Sequence, residues 1–228
     1  MSILKSRLQD WADTKNILPT EQLAFRQKMG CIDHILTLNS IIHYSRSLKS
    51  QQVFTLFSDL SKAFDSVSHN KLFTKLQAMG APTYLVNNIK SFYSTLTLQV
   101  KTTDGLSQSV KISKGVLQGE PISPLLFILY LVDLPTELNP DLGYDAIGMK
   151  KHILIFADDI VLLSPSAKYL NLQIKRLARY FSLHDLSLNT GKSKIVIFGR
   201  QTKAFTNLLE HNATRNRTLL EIFELSLP

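Results

Sequence analysis

Short apolar runs and helical-period stripes divide the chain into a mixture of strands and helices. Ile3 to Trp11 reads as the end of a helix, and Pro19 then marks a loop. Ile35, Leu38, Ile41 and Ile42 share one face and predict a helix from about Asp33 to Ser45. Val53 to Phe57 predicts a strand with Asp59 at its C-terminal end. Leu72, Phe73, Leu76 and Met79 predict a helix over His69 to Met79, stopped by Gly80, and Pro82 opens another to about Tyr93. Thr95 to Val100 alternates, turns at Asp104-Gly105 and returns through Val110 and Ile112, a hairpin pattern.

Two glycines and two prolines shape the loop from Lys114 to Pro124, after which Ser123 is placed to cap a buried helix reaching about Asp133. A loop of about twenty residues is expected next. Ile153 to Phe156 and Ile160 to Leu163 then read as the arms of a hairpin with acids at its tip. Leu170, Ile174, Leu177 and Phe181 predict a helix over Ala167 to His184, Lys194 to Phe198 a strand, and Leu219 to Leu225 a weak helix. With the stretch between Asp59 and Ser123 set aside, the order is strand, helix, strand, strand, helix, strand. That is an α+β, ferredoxin-like order, with helices on one face of a sheet and the other face open. The strand ending at Asp59 and the strands flanking Asp158-Asp159 are neighbours in this topology, so three carboxylates converge at one edge.

The Asp158-Asp159 pair is an unusual tip. Tight hairpin turns favour Asn-Gly or Asp-Gly because central residues need φ > 0. Two like charges ~5 Å apart at an effective dielectric of ~20 repel by on the order of 3 kcal/mol. A polar turn on a buried hairpin accounts for the pair taken alone. With Asp59 as a third acid, the set matches oxygen ligands for a pair of Mg²⁺ or Mn²⁺ ions and the in-line phosphoryl chemistry that such a pair supports.

Composition narrows this chemistry. Hydrophobic residues make up 44% of the 228 and charged ones 19%, which allows a sizeable core and argues against global disorder. Twenty-six basic and 18 acidic side chains leave +8, a lean towards a polyanionic partner such as nucleic acid. The single cysteine, Cys31, excludes an intrachain disulfide and a Cys-rich zinc site, and the six histidines show no ligand spacing. The first residues lack a signal-peptide core, and the run from Leu125 to Val132 is too short to span a bilayer. The expectation is an intracellular protein with no membrane partner, acting in the nucleus, the cytoplasm or both. The Asn212-Ala-Thr and Asn216-Arg-Thr matches to the glycosylation pattern are then read as chance.

Four motifs in order resemble the reverse transcriptases of non-LTR (LINE-type) retrotransposons. Phe57-Ser-Asp59-Leu-Ser-Lys-Ala-Phe64-Asp65 is similar to the first catalytic motif of that family. Gly115-Val-Leu-Gln118-Gly119-Glu-Pro121-Ile-Ser123-Pro124 is similar to the second, Phe156-Ala-Asp158-Asp159 to the third and Leu188-Asn189-Thr-Gly-Lys192-Ser-Lys194 to the fourth. Gln22-Leu-Ala-Phe-Arg26 with Cys31-Ile-Asp-His34 resembles the fingers segment.

The resemblance implies the ferredoxin-like palm of a right-hand polymerase with partial helical fingers and no thumb. Partial fingers are expected over about 1–52 and palm over about 53–199, with a fingers-side insertion at about 69–114 and a tail at 200–228. The chain then reads as a fragment of a longer element. The implied reaction is RNA-directed DNA synthesis, extending a DNA primer on an RNA template with deoxynucleoside triphosphates. Asp59 and Asp158 would hold two metal ions with help from the Leu60 carbonyl, and Asp159 would be the auxiliary acid. Lys192 would contact or protonate the leaving pyrophosphate, and Arg26 would grip the triphosphate. Phe64 would be the steric gate against a ribose 2′-OH. Gln118 and Gly119 would shape the pocket over the incoming base, and Phe156 would touch the nucleic acid. Met29 stands where arginine is common in the family and Glu120 where a small residue is common. Two other readings share the basic balance: an RNA-binding remnant that does not polymerise, and a protein akin to group II intron maturases.

Overall fold

A computed structural model of the chain describes residues 1–48, 51–103 and 105–199. The expected turn residue Asp104 and the expected helix near Leu219 lie outside the described residues. The longer helices are α1 (Ser2–Thr14), α2 (Cys31–Ser47), α3 (His69–Ala78), α4 (Thr83–Ser94), α5 (Ser123–Tyr130) and α6 (Ala167–Leu183). None of the described helices is long and apolar enough to cross a membrane. The chain divides into two compact units. One comprises Met1–Pro19 with Lys62–Val132; the other comprises Thr20–Ser61 with the described residues from Asp133 onwards.

The second unit is built on a four-stranded antiparallel sheet of β1 (Gln52–Ser58), β2 (Ile153–Phe156), β3 (Asp159–Ser164) and β4 (Lys194–Gly199), in the order β4-β1-β3-β2. This is the ferredoxin-like strand order that the sequence predicts. Register pairs Thr55 with Leu163 and Phe57 with Val161 on one side of β1, and Val53 with Phe198 on the other. Directly opposed residues share a face. Val53, Leu163 and Leu154 therefore present one apolar surface, and Ile41 and Tyr144 complete its buried cluster. Helix α2 covers that surface, so the expectation of an open second face is corrected: Leu38, Ile41 and Tyr44 occupy it. The opposite side, with Leu56, Ile160 and Leu162 buried, is left to α6, which contacts β1 and β3. Ser166 caps α6 by accepting the Tyr169 N–H at 3.3 Å, and Leu170, Ile174, Leu177 and Phe181 are its buried stripe.

The expected long loop before the acidic hairpin is instead structured. It holds a helical turn at Leu134–Glu137, a 3₁₀ turn at Pro140–Leu142 and a small hairpin pairing Tyr144–Ala146 with Met149–Lys151. Three tight local elements satisfy backbone groups that a structureless stretch would leave unpaired.

In the first unit, α3 ends before Gly80, whose φ of +77° is the left-handed stop that the glycine predicts. The expected hairpin is present as two short ladders, Thr97–Leu98 with Val110–Lys111 and Lys101–Thr102 with Gly105–Leu106. Helix α5 is buried from Leu125 to Tyr130. Ser123 does not cap it. Ser123 is the first helical residue, and Ile122 takes the cap position because its carbonyl accepts the Leu126 N–H at 3.0 Å. The helix stops at Tyr130 rather than near Asp133. The Lys75 ammonium donates to the Tyr130 carbonyl at 2.7 Å, and beyond it the Val132 N–H turns back to the Leu129 carbonyl at 3.4 Å, a tighter i→i−3 turn.

Candidate active site

Asp59 leaves the end of the central strand β1, and its backbone is fixed on both sides. Its N–H donates to the Ser193 hydroxyl at 3.3 Å, and its carbonyl accepts the Asn189 N–H at 2.8 Å. Leu60 and Ser61 continue into a two-residue ladder with Leu188 and Ser187. The loop that supplies these contacts is knotted around Asn189, whose carbonyl accepts from the Lys192 and Ser193 N–H groups and from the Ser193 hydroxyl. The Asn189 side chain also accepts the Lys192 N–H. This closed loop brings the Lys192 Nζ to 3.6 Å from the Asp59 Oδ2. Lys192 is largely exposed, so the pair contributes little to stability. Its significance is one of position.

The acidic hairpin has a two-residue turn of Ala157 and Asp158, because Asp159 already pairs with Phe156 on the strand. Only one of the two acids therefore sits in the turn itself. Among its central residues Ala157, at φ +57°, is the one in the left-handed region. Ser58 pairs with Ile160, so the next step along the β1–β3 ladder brings Asp59 opposite Asp159. Partial loss of water raises the Asp159 carboxyl above its ordinary value. The neighbouring Asp158 and Asp59 charges raise it further, and Lys192 opposes them. Asp159 thus feels the charges of both other carboxylates at the end of two adjacent strands.

Phe57, Asp59, Phe156, Asp159 and Lys192, together with Cys31 and His34 of α2, line a cavity of about 300 Å³. Among the described residues, no three acidic, histidine or cysteine side chains stand close enough to form a finished metal cage. The donor chemistry still fits Mg²⁺ or Mn²⁺. Such ions take oxygen ligands and keep several waters, and the repulsion felt by Asp159 is what a cation would relieve.

Arg26, expected at the triphosphate, is half-buried in the same unit. Its Nη1 donates to the Gln22 carbonyl at 3.3 Å, and it is not among the residues lining the cavity. Phe64, Gln118 and Gly119 belong to the other unit, Phe64 on a short helical turn (Ala63–Ser66) and Gln118 and Gly119 on a loop that touches it. The Val116 N–H donates to the Phe64 carbonyl at 2.8 Å, and Gln118 Nε2 donates to Asp65 Oδ1 at 3.4 Å. Gly115 permits this approach, since a Cβ at its φ of +93° would lie 3.2 Å from the Asp65 backbone. The Phe64 ring stacks on Phe127 at 4.7 Å. Three residues in the vicinity of the acids escaped role assignment from sequence: Gln22, His34 and Ser193. Each acts through backbone contacts across long sequence separations, which motif spacing does not register. Asn189 did carry a signal, as a turn-forming residue next to a glycine-containing segment.

A profile of the family described as reverse transcriptase (RNA-dependent DNA polymerase) matches residues 1–216. The Pol polyprotein of the type-2 retrotransposable element R2DM of Drosophila melanogaster is 29% identical over 190 residues, covering 83% of this chain and 18% of that protein. The Pol polyprotein of a type-1 retrotransposable element R2 of Popillia japonica is 34% identical over 169 residues, covering 72% of this chain and 23% of that protein. The chain therefore spans well under a third of the length of either relative. Among solved structures, telomerase from Candida albicans, in complex with a fragment of telomeric RNA, superposes with a TM-score of 0.63 at 14% identity, over 88% of this chain and 34% of that one. Apo telomerase from Candida tropicalis, truncated of its C-terminal domain, gives 0.62 at 14% identity, over 89% of this chain and 40% of that one. At these identities the structures speak to the fold.

Proposed function

Since the chain belongs to the reverse transcriptase (RNA-dependent DNA polymerase) family, we propose that it carries the site at which a DNA primer is extended along an RNA template. The observation that carries this reading is the register of β1 and β3, which sets Asp59 beside the Asp158-Asp159 tip. Asp59, Asp158 and the Leu60 carbonyl would hold two divalent ions, Mg²⁺ or Mn²⁺. When bound, such a pair activates the primer 3′-hydroxyl and neutralises the departing pyrophosphate. Asp159 would sit beside the primer terminus, and Phe156 on the cavity wall would face the nucleic acid. Lys192 is held within reach of the Asp59 carboxylate and would meet the pyrophosphate as it leaves. Phe64 would exclude a ribose 2′-OH, and Gln118 and Gly119 would bound the incoming base. Arg26 would serve the triphosphate after letting go of the Gln22 carbonyl. Deoxynucleoside triphosphates, an RNA template and a DNA primer are the partners this reading requires.

Primer extension by the 228-residue chain on an RNA template, with dNTPs and Mg²⁺, tests it. Extension should be present in the native chain and absent after Asp59→Ala or Asp158→Ala. Extension that survives both changes together would remove the site. Salt-sensitive RNA binding without extension, indifferent to both changes, would favour the non-catalytic binding reading.

A further inference from the structure

Gln22 is 1% exposed, and its side-chain oxygen accepts two backbone N–H groups. One is that of Ala24, at 2.9 Å. The other is that of Ala157, at 3.2 Å and 135 positions along the chain. Two donors facing one atom identify it as the carboxamide oxygen. Ala157 is itself 7% exposed and holds φ +57°, a conformation that alanine adopts only under constraint. Its neighbour is Asp158. The backbone around Gln22 is fastened to the same hairpin: the Leu23 N–H donates to the Ile155 carbonyl at 3.1 Å, and the Ile155 N–H donates to the Glu21 carbonyl at 2.8 Å. His34 Nε2 lies 3.1 and 3.0 Å from the Glu21 and Ile155 carbonyls and closes the junction from α2.

We infer that Gln22 is a positioning residue for the reaction: its side-chain oxygen holds the strained Ala157 turn and thereby fixes where the Asp158 carboxylate stands. The inference rests on the polymerase reading for its consequence but not for its geometry. Removing the acceptor leaves a buried N–H without a partner and an alanine free to leave the left-handed region. Asp158 then moves without any group that touches substrate having been changed. A misplacement of this kind acts on turnover, where displacements of ~1 Å reach 10²-fold.

The test uses the full chain carrying Gln22→Met, which keeps the volume and loses the acceptor, and Gln22→Glu, which keeps an acceptor oxygen. Hydrogen exchange, followed by mass spectrometry without metal or nucleotide, reads the hairpin peptide directly. Exchange over Ala157-Asp158 should quicken at least ~10-fold in Gln22→Met, a change equal to the loss of a modest hydrogen bond, with the rest of the sheet unchanged. In primer extension, kcat should fall ~10- to 100-fold while the KM for dNTP stays within ~3-fold. Ala157→Gly added to Gln22→Met should restore part of kcat, because glycine accepts the positive φ unaided. Gln22→Glu should retain slow exchange at the tip. Unchanged tip exchange in Gln22→Met would overturn the inference, as would a double variant whose two losses simply multiply. Unfolding of Gln22→Met leaves the decision to Ala157→Gly and Gln22→Glu, which must then differ from the native chain in tip exchange by less than ~3-fold; a larger difference contradicts the inference. If Asp158→Ala extends primers as well as the native chain, the polymerase reading and the positioning role fall together, while the exchange result still reports on the contact.

Discussion

At the tip of the Tyr144–Lys151 hairpin, Ile147 takes φ +55° and Gly148 +77°; at the tip of the β2–β3 hairpin, Ala157 takes φ +57°. Both turns force a non-glycine residue into the left-handed region, yet they are held by different means. The first is repaired locally: Asp145 Oδ1 accepts the Gly148 N–H at 2.8 Å, and Ile147 is left 76% exposed. The second is repaired from a distance, by a glutamine side chain that precedes the sheet, and is buried. A local repair leaves a tip independent of its surroundings. A distant one makes the tip's geometry a property of the whole unit, and that is the tip which carries Asp158. Strain tends to persist where surrounding structure over-determines it.

The largest expected effect falls on the buried tip. Asp158→Ala and, separately, Asp59→Ala should each lower primer extension by about 10³-fold or more, since several kcal/mol of charge stabilisation depend on each. Single-turnover extension on an RNA template reads this. An intermediate effect probes the base of the exposed hairpin. A Cβ at Gly143 would meet the His152 Cβ and the Lys151 carbonyl at 2.8 Å. Gly143→Ala should therefore cost about 1–3 kcal/mol of unfolding free energy, measured by urea titration.

The exposed tip should respond in the opposite sense. Ile147→Asn relieves a left-handed isoleucine and should stabilise the chain by about 1 kcal/mol, raising Tm by a few degrees while leaving extension unchanged. A loss of extension would show that the two tips are not independent. The smallest effect concerns Asp159. Its carboxyl is raised in the folded protein, so its ionised form weighs against folding at neutral pH. Below the ordinary carboxylate range both states bind the proton and that penalty vanishes. Asp159→Asn should accordingly stabilise the chain slightly at pH 7, with the gain fading as pH falls through the raised value. A gain that persists at low pH would assign it to packing instead.

Much of this architecture is written in local patterns. The short apolar run of Val53 to Phe57 and the β-branched arms around Asp158 are strand-length and bounded by polar residues, and the stripe of α6 has the helical period. Their order then implies the β4-β1-β3-β2 arrangement, and with it the convergence of Asp59 on the acidic hairpin. What the pattern misses is set by tertiary partners. The exposed Ile32 and Ile35 of α2 leave its stripe too diffuse to tell that Leu38 and Ile41 would close the second sheet face. Ser123 has the chemistry of a cap but is bypassed, because the Glu120 carbonyl takes its N–H and starts the turn earlier. Gln22 belongs to the stretch that resembles the fingers segment, but it has no legible role until the fold delivers Ala157 to it.

The most direct test of the acid cluster asks whether residues from β1 and the β2–β3 tip share a divalent ion. Fe²⁺ replacing Mg²⁺, with ascorbate and peroxide, cuts a polypeptide backbone close to where the ion is bound. The full chain should be cleaved both near Asp59 and near Asp158, both cuts should be suppressed by excess Mg²⁺, and Asp158→Asn should abolish the pair together. Cleavage at one of these segments without the other, or cuts indifferent to Mg²⁺, would contradict a shared site.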